Sequence, residues 1–505
     1  MVPEGAFYGH EDAKYLWPMC IDVGHGTRGL PVSPETFATQ LATKVFTNEA
    51  DCAAVTELYA KLATSLLRAM NYLDLDSVPF GPGDGRELAR VVRLGQNIEE
   101  LSLGESHRSA AELQSFFGGI PCRTLHRLRR LFLQDCALDD VAFAVLAKAI
   151  GEAMPSLEVL VVSDCAVTCA GARQLAAVIG RGNTPFMLTL NLGNTALGPE
   201  GIIALAAALR VGATPELKEM SLETCGVGDD GVRALCTSFV GGFVPSLATL
   251  DLSSNSLTDR SASYLASAIR DGSLTCLASL AVEGNRLTWR GGAALFDAMG
   301  AHTVPALEEL WMSENAIADR GVVALSEAIR DRLVTTLQTL DLSDNGISSV
   351  GAAALATAIA AGGAAELKAL YLADNPLDPA GVASLAGAMN AAHTPALEEL
   401  GLDGVRMGAD GARLVARAMG SGSCPALTEL NLCNNSLQTA GATALADSLE
   451  SGHVAKLKSV ELDGNAIEVS GVLALLAATT RRGGPTPCME HLGLGDVSGL
   501  GSAPW

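Results

Sequence analysis

Residues 337–362, which read LQTLDLSDNGISSVGAAALATAIAAG, contain the clearest copy of a pattern that recurs through the chain. In this copy Leu337, Leu340 and Leu342 precede Asn345 and Ile347. The pattern returns about every 30 residues, and its first apolar position falls at Leu128, Leu157, Met187, Leu217, Leu247, Leu277, Leu307, Leu337, Leu367, Leu397, Leu427 and Leu457, with weaker copies from Met70, Ile98 and Met489. A period of this length is typical of a solenoid, in which each unit buries its apolar face against its neighbours.

Each copy predicts one strand and one helix. The six to seven residues around LxL alternate between apolar and polar, which favours a short strand with one buried face. An Ala-rich run follows, and start signals such as Thr258 with Asp259, and Asp319, precede it. The sequence therefore predicts an α/β solenoid of about 14 to 15 repeats.

One polar position of the repeat lies where the strand must end. A buried side chain there can bond backbone groups of its own loop and of the next loop. We expect a structural ladder at this position, formed by Cys136, Cys165, Cys225, Asn255, Asn285, Asn315, Asn345, Asn375, Asn435 and Asn465.

The charge balance of the 505-residue chain limits its partners. Its 34 basic and 56 acidic residues give a net charge of −22. Binding to nucleic acid needs clustered Lys and Arg, so we expect no nucleic-acid partner and instead a protein with a basic surface. The sequence contains no uninterrupted run of about 18 apolar residues, so we expect no membrane insertion.

The cysteines and glycines suggest no cofactor or metal. The twelve cysteines form no CxxC pair and no zinc-type spacing with His, which favours a reducing, cytoplasmic compartment. Gly24, Gly26 and Gly29 form a GxGxxG that runs into Leu30 and Pro31 rather than opening a helix. We therefore interpret residues 24–29 as a loop and not as a dinucleotide site.

The ends of the array are expected to be capped. Residues 1–69 predict an irregular segment and a helical cap, residues 70–488 the repeat array, and residues 489–505 a C-terminal capping segment. Within the first cap, one helix starts at Ser33 and Pro34, and a second runs from Glu49 to Met70. Its apolar face is predicted to contain Leu58, Leu62, Leu66 and Leu67.

With these residues placed, the chain resembles the leucine-rich repeat proteins of the ribonuclease-inhibitor type. The resemblance covers about residues 70 to 496. It implies a horseshoe with a parallel β-sheet on the concave side and α-helices on the convex side. It also implies protein binding without catalysis, because the relatives include ribonuclease inhibitors, Ran GTPase-activating proteins, the sensing ends of NOD-like receptors, and axonemal or other cytoskeletal subunits.

The third, fifth and seventh positions of LxxLxLx point away from the core. At the fifth position Trp311 and Tyr371 lie two strands apart with Asp341 between them. Aromatic anchors ringed by carboxylates suit a partner that carries Arg or Lys. The predicted protein-binding residues are Trp311, Asp341, Tyr371, Glu309, Glu314, Asp344 and Asp374, with Glu283 and Asp403 nearby. The alternative interpretation is a plain solvated rim.

Two smaller groups of charged residues also lie at or beside outward strand positions. Arg129 and Arg130 beside Phe132 could serve a GTPase activator or form surface ion pairs. Glu399 and Glu429 occupy the same position on neighbouring strands and should repel each other.

The sequence predicts a non-enzymatic interaction scaffold or structural subunit. The family resemblance suggests that this subunit belongs to a cytoskeletal or flagellar axonemal assembly. The alternatives are a Ran-type GTPase activator and an inhibitor of a basic enzyme.

Overall fold

The computed structural model describes residues 33–42, 49–76, 78, 80–105, 109–212, 214–300, 302–389, 392–480 and 488–494. The glycine motif at residues 24–29 lies outside these ranges. The chain divides into two compact units, Met1–Leu217 and Lys218–Trp505. This division falls inside the predicted repeat array, at the first apolar position of one copy.

The first unit alternates helices with a five-membered run of parallel strands. Each strand pairs with the next one in the chain. The strands are β1 (Tyr72–Asp74), β2 (Glu100–Ser102), β3 (Arg130–Phe132), β4 (Val159–Val161) and β5 (Thr189–Asn191). The helices are α1 (Pro34–Ala42), α2 (Glu49–Ala69), α3 (Asp84–Val92), α4 (Ala110–Gly118), α5 (Asp140–Ala153), α6 (Cys169–Ile179) and α7 (Gly198–Leu209).

The second unit continues the same alternation, and its strands are again parallel and paired in chain order. The strands are β6 (Glu219–Ser221), β7 (Thr249–Asp251), β8 (Ser279–Ala281), β9 (Glu309–Trp311), β10 (Thr339–Asp341), β11 (Ala369–Tyr371), β12 (Glu399–Gly401), β13 (Glu429–Asn431), β14 (Ser459–Glu461) and β15 (His491–Gly493). The helices are α8 (Gly228–Val240), α9 (Asp259–Arg270), α10 (Trp289–Ala298), α11 (Ala318–Arg330), α12 (Ser349–Ala360), α13 (Asp378–Ala388), α14 (Gly408–Gly420), α15 (Gln438–Glu450) and α16 (Val469–Thr480). The predicted α/β repeat architecture is confirmed, including the weak copies that supply β1, β2 and β15.

Each strand is three residues long, which is shorter than the predicted six to seven. Only the third to fifth positions of the repeat are assigned to the strand, as in Thr339–Asp341. The burial alternation nevertheless extends further, because Leu337 and Leu342 enter the interior from the flanking turns and are 5% and 0% exposed. Full burial of such a side chain stabilises the fold by about 1.5 to 3 kcal/mol.

The asparagine position joins consecutive repeats. The Oδ1 atom of Asn345 accepts a hydrogen bond from the Ile317 amide of the preceding repeat at 3.2 Å. Its Nδ2 group donates to the carbonyl oxygens of Met312 at 2.9 Å and Ser343 at 3.0 Å. Equivalent bonds to the preceding repeat are made by Asn255, Asn285, Asn315, Asn375, Asn435 and Asn465.

Three cysteines replace the asparagine in earlier repeats and are buried, as the sequence suggests. The Sγ atom of Cys136 donates to the Leu103 carbonyl at 3.1 Å, and that of Cys165 to the Leu133 carbonyl at 3.3 Å. Cys225 lies 1% exposed. The ladder is interrupted at Val405, which is fully buried at the same position and offers no polar group.

Helix starts follow two geometries. Thr168, Thr258, Thr288 and Ser348 are extended caps whose hydroxyls accept from the first turn of their helix. Each is itself held by an aspartate of the preceding helix; the Oδ1 atom of Asp259, for example, accepts from the Thr288 amide at 2.7 Å and the Gly291 amide at 3.0 Å. The expectation that Asp259 and Asp319 serve their own helices was therefore wrong, because each carboxylate caps the next helix.

Other helices begin with a residue in the left-handed region instead. This group comprises Gly198, Gly228, Ala318, Asp378, Gly408 and Gln438. Glycine adopts this conformation without strain, whereas an alanine there is destabilised by about 1 to 2 kcal/mol. Ala318, with a φ of 50°, is accordingly a strained helix start.

The two N-terminal helices form where the sequence predicts them. Phe37 of α1 stacks on Tyr59 of α2 with ring centroids 3.8 Å apart. Leu67 is buried, but Leu58 is 66% and Leu62 is 39% exposed. The predicted apolar face of α2 was therefore partly wrong, because Tyr59 occupies the side that packs against α1.

Candidate protein-binding face

The third, fifth and seventh positions of the copies in strands β6–β14 form what we call the outward strand face. The side chains at the third and fifth positions flank a buried central residue in each strand. No Lys or Arg occupies any of these positions. The carboxylates on the outward strand face are Glu219, Glu223, Asp251, Glu283, Glu309, Asp341, Glu399, Asp403, Glu429, Glu461 and Asp463.

Trp311 and Tyr371 meet on this face. Strand register places Trp311 opposite Asp341 and Asp341 opposite Tyr371, as the sequence predicts. Two strand spacings separate their backbones by about 9 to 10 Å. The ring centroids are only 6.2 Å apart with planes 19° from parallel, so the two rings lean together across Asp341.

Carboxylates hold both rings in place. The Trp311 indole Nε1 donates to Glu309 Oε2 at 3.3 Å, and the Ser279 hydroxyl donates to the same oxygen at 2.9 Å. The Tyr371 hydroxyl donates to Glu399 on the next strand. Partial burial and the Glu399 carboxylate raise the pKa of Tyr371, so its hydroxyl stays protonated as a donor. Each ring therefore presents a fixed orientation.

Glu399 was not among the predicted binding residues. The sequence contained the signal, since Glu399 is the register partner of Ala369, two residues before Tyr371. A long side chain on one strand can reach an aromatic residue diagonally across a neighbouring strand. Glu399 and Glu429, which the sequence predicts to repel each other, are register partners on β12 and β13.

The carboxylates raise one another's pKa. Partial burial raises the pKa of Glu283, and the charges of Asp341, Asp251 and Glu223 add to this, against a hydrogen bond from Ser313. Burial also raises the pKa of Asp403, together with the charges of Asp374 and Asp341. Like charges disfavour ionisation of their neighbours, so the raised pKa values of Glu283 and Asp403 reflect the proximity of other carboxylates as well as burial.

The remaining predicted residues lie apart from the aromatic pair. Glu314, Asp344 and Asp374 are exposed in the turn after their strands, with φ values of 54°, 45° and 52°. Asp and Asn tolerate this left-handed conformation better than most residues. The left-handed backbone of these turns thus accounts for some of the acidic residues that the sequence placed around the aromatic pair. Glu309 and Asp341, in contrast, lie against the rings.

The arginines near the amino-terminal end are engaged. Arg130 pairs with Glu100, and the Nη1 atom of Arg129 lies 3.1 Å from Oε1 of Glu158. These contacts match the surface ion-pair interpretation. Both side chains are about half exposed, at 53% for Arg129 and 48% for Arg130.

Three further properties bear on function. Within the described ranges no helix has the length and hydropathy needed to cross a membrane. The same residues contain no group of three or more His, Cys, Asp or Glu side chains arranged to hold a metal ion. The cysteines from Cys122 to Cys488 carry free thiols.

The repeat geometry agrees with a sequence family. A family profile described as Leucine Rich repeat matches residues 185–206, 245–266, 335–356 and 423–446, and each match spans the strand and helix start of one copy. The chain contains leucine-rich repeats. A sequence comparison of this leucine-rich repeat chain with curated proteins found no significant match.

Solved structures also resemble the chain, at low sequence identity. An internalin from Listeria monocytogenes is 15% identical, with a TM-score of 0.40, over 86% of this chain and 89% of its own. A leucine-rich repeat protein from Leptospira interrogans is 17% identical, with a TM-score of 0.42, over 89% of this chain and 99% of its own. The Arabidopsis receptor kinase HAESA, in complex with a peptide hormone and a co-receptor, is 16% identical, with a TM-score of 0.38, over 79% of this chain and 58% of its own.

Proposed function

We propose that this leucine-rich repeat chain is a non-catalytic protein-binding scaffold whose outward strand face binds a partner with a basic surface. The observation that carries the proposal is the sign of the charge: carboxylates recur across that face and no Lys or Arg lies among them. Complementary charge steers a basic partner and fixes its orientation more than it adds affinity.

Trp311 and Tyr371 supply the anchor in this proposal. Their rings offer apolar area, and a guanidinium or ammonium group over an aromatic face gains about 0.5 to 2 kcal/mol. Asp341 lies between the rings, and Glu309 and Glu399 hold their edges. A cation from the partner would therefore meet an aromatic surface and carboxylates at one place.

Finer parts of the proposal rest on the sequence and the family resemblance. These are the ribonuclease-inhibitor type of repeat, a cytoplasmic location and membership of a cytoskeletal or axonemal assembly. Inhibition of a basic enzyme would use the same outward strand face and is distinguished by whether the bound partner loses activity. The other alternative, a Ran-type GTPase activator, would require Arg130 to leave its surface pair with Glu100, and it is tested by GTP hydrolysis of a small GTPase with and without the chain.

A basic peptide tests the proposal directly. Fluorescence anisotropy of a labelled octa-arginine peptide would be measured with the full chain at low and high salt. We expect binding that weakens with salt and that falls about tenfold in the Trp311→Ala, Tyr371→Ala double variant, as loss of two aromatic contacts predicts. Phe186→Ala, which removes an aromatic residue 55% exposed in the first unit, is the matched control. Equal affinity in the double variant and the control would refute the site.

A further inference from the structure

A row of arginines crosses the helical side of the second unit. Arg260, Arg290 and Arg320 occupy the same position of three consecutive repeats, near the start of α9, α10 and α11, and all three are exposed. Within the described residues, the ion pairs of this unit involve other groups, such as Arg233 with Asp230 and Arg413 with Asp410. Among the described residues, none of the three guanidinium groups forms an ion pair with a carboxylate, in a chain of net charge −22.

Trp289 lies inside this arginine row. The guanidinium carbon of Arg290 is 4.9 Å from the Trp289 ring centroid, and that of Arg320 is 5.0 Å from it. The ring is partly exposed and separates two like charges that would otherwise repel. Arg260, at the other end, hydrogen bonds with Tyr264 and lies near Asp229 and Asp230.

Trp289 replaces a residue with a structural role. The equivalent positions in the flanking helices are Asp259 and Asp319, and each carboxylate caps the following helix. With Trp289 in that place, the next helix begins instead at Ala318 in the strained left-handed conformation. Trp289 thus gives up the cap that an aspartate would supply, and its ring contacts Arg290 and Arg320 instead.

The carboxylates beside the arginines in sequence do not neutralise them. Asp319 Oδ1 accepts from the Ser348 and Gly351 amides at 2.8 and 3.0 Å, and its Oδ2 accepts from the Ser348 hydroxyl at 2.7 Å. Asp259 is engaged in the same way with Thr288. Beyond Arg320 lie the exposed apolar residues Val323 and Val350 rather than further acids.

We propose that the arginine row, Arg260, Arg290 and Arg320 with Trp289, binds a short carboxylate-rich segment of a partner protein. Neighbouring helices pack about 8 to 10 Å apart, so the row spans about 16 to 20 Å. An extended chain covers that length with about five or six residues. A membrane or nucleic acid fits less well, because such a wide anionic surface would also meet the acidic remainder of the chain.

A labelled octa-glutamate peptide tests this surface on the full chain. We expect binding that the triple variant Arg260→Gln, Arg290→Gln, Arg320→Gln weakens about tenfold or more, since three exposed charge contacts are removed. Trp289→Asp, which restores the carboxylate pattern of the flanking helices, is expected to weaken binding to a similar extent. Melting temperatures of both variants verify that they fold.

The matched control changes net charge equally. The triple variant Arg233→Gln, Arg330→Gln, Arg413→Gln removes three exposed arginines of the same unit that are already paired with carboxylates. It should bind octa-glutamate within about twofold of the parent chain. The proposal is overturned if both triple variants lose affinity alike, if either arginine-row variant binds as the parent does, or if vesicles rich in phosphatidylserine bind the chain and the peptide does not.

This inference is independent of the proposed function. The Trp311→Ala, Tyr371→Ala variant should bind octa-glutamate as the parent chain does, because those rings lie on the strands. The arginine-row variants should likewise retain octa-arginine binding. A failure of one surface is therefore distinguishable from a failure of the other.

Discussion

Replacing Asn345 by Ala should destabilise the second unit measurably. Asn345 is 1% exposed and makes three hydrogen bonds, from Ile317 at 3.2 Å and to Met312 and Ser343 at 2.9 and 3.0 Å. A net contribution of about 0.5 to 1.5 kcal/mol for each bond predicts a loss of about 1.5 to 4.5 kcal/mol. Asn345→Cys, which imitates the natural Cys225, should lose less because a thiol donates one weak bond.

Urea unfolding followed by circular dichroism measures this change. Because repeat arrays do not always unfold in one step, hydrogen exchange of the Ile317 amide provides a local measurement. That amide should lose protection in Asn345→Ala. A decrease in unfolding free energy below about 0.5 kcal/mol, with unchanged protection of Ile317, would show that the asparagine ladder does not join the repeats energetically.

Three smaller predictions follow from other contacts. Ala318→Gly should raise the free energy of unfolding by about 0.5 to 1 kcal/mol in urea titrations, because glycine relieves the left-handed strain at 50° despite its greater freedom when unfolded. Burial opposes ionisation of Asp229, but hydrogen bonds from Ser261 and Thr258 outweigh it and lower its pKa; its stabilisation is present above the unfolded pKa of about 4 and lost as the pH falls, so Asp229→Asn should flatten the stability profile in that acid range. Burial raises the pKa of the Cys165 thiol to about 11, so iodoacetamide should label exposed Cys276 in the native chain and spare Cys165, as peptide mass spectrometry would show.

The repeat was predictable because leucines that are evenly spaced in the sequence also stack at even spacing in the core. From β1 to β14 an apolar residue, almost always leucine, is buried at the centre of the strand, so a fixed period in the sequence becomes a fixed register between strands. Even the weak copies beginning at Met70, Ile98 and Met489 produced paired strands. The period, rather than the quality of any single copy, determines the fold.

Side-chain directions were less predictable. Register placed Trp311, Asp341 and Tyr371 side by side, but the approach of the two rings and the role of Glu399 depend on rotamers that spacing does not specify. The exchange of capping aspartates between neighbouring helices was also missed, because a cap is usually sought within its own helix.

The arginine row could have been found from the sequence. Arg260, Arg290 and Arg320 recur at the repeat period, with Trp289 at the position that is aspartate in both flanking copies. The sequence prediction of a binding surface rested on the strand positions alone, because the Ala-rich helices were expected to pack against the strands. In a solenoid, every position of the repeat forms a row, so each deserves the same comparison.

Hydroxyl-radical footprinting of the chain with and without a saturating octa-arginine peptide tests the outward strand face most directly. Oxidation of Trp311 and Tyr371 should slow when the peptide binds, while that of Trp289 on the helical side should not change. Unchanged oxidation of Trp311 and Tyr371 in the saturated complex would contradict the account and place the basic ligand elsewhere on the chain.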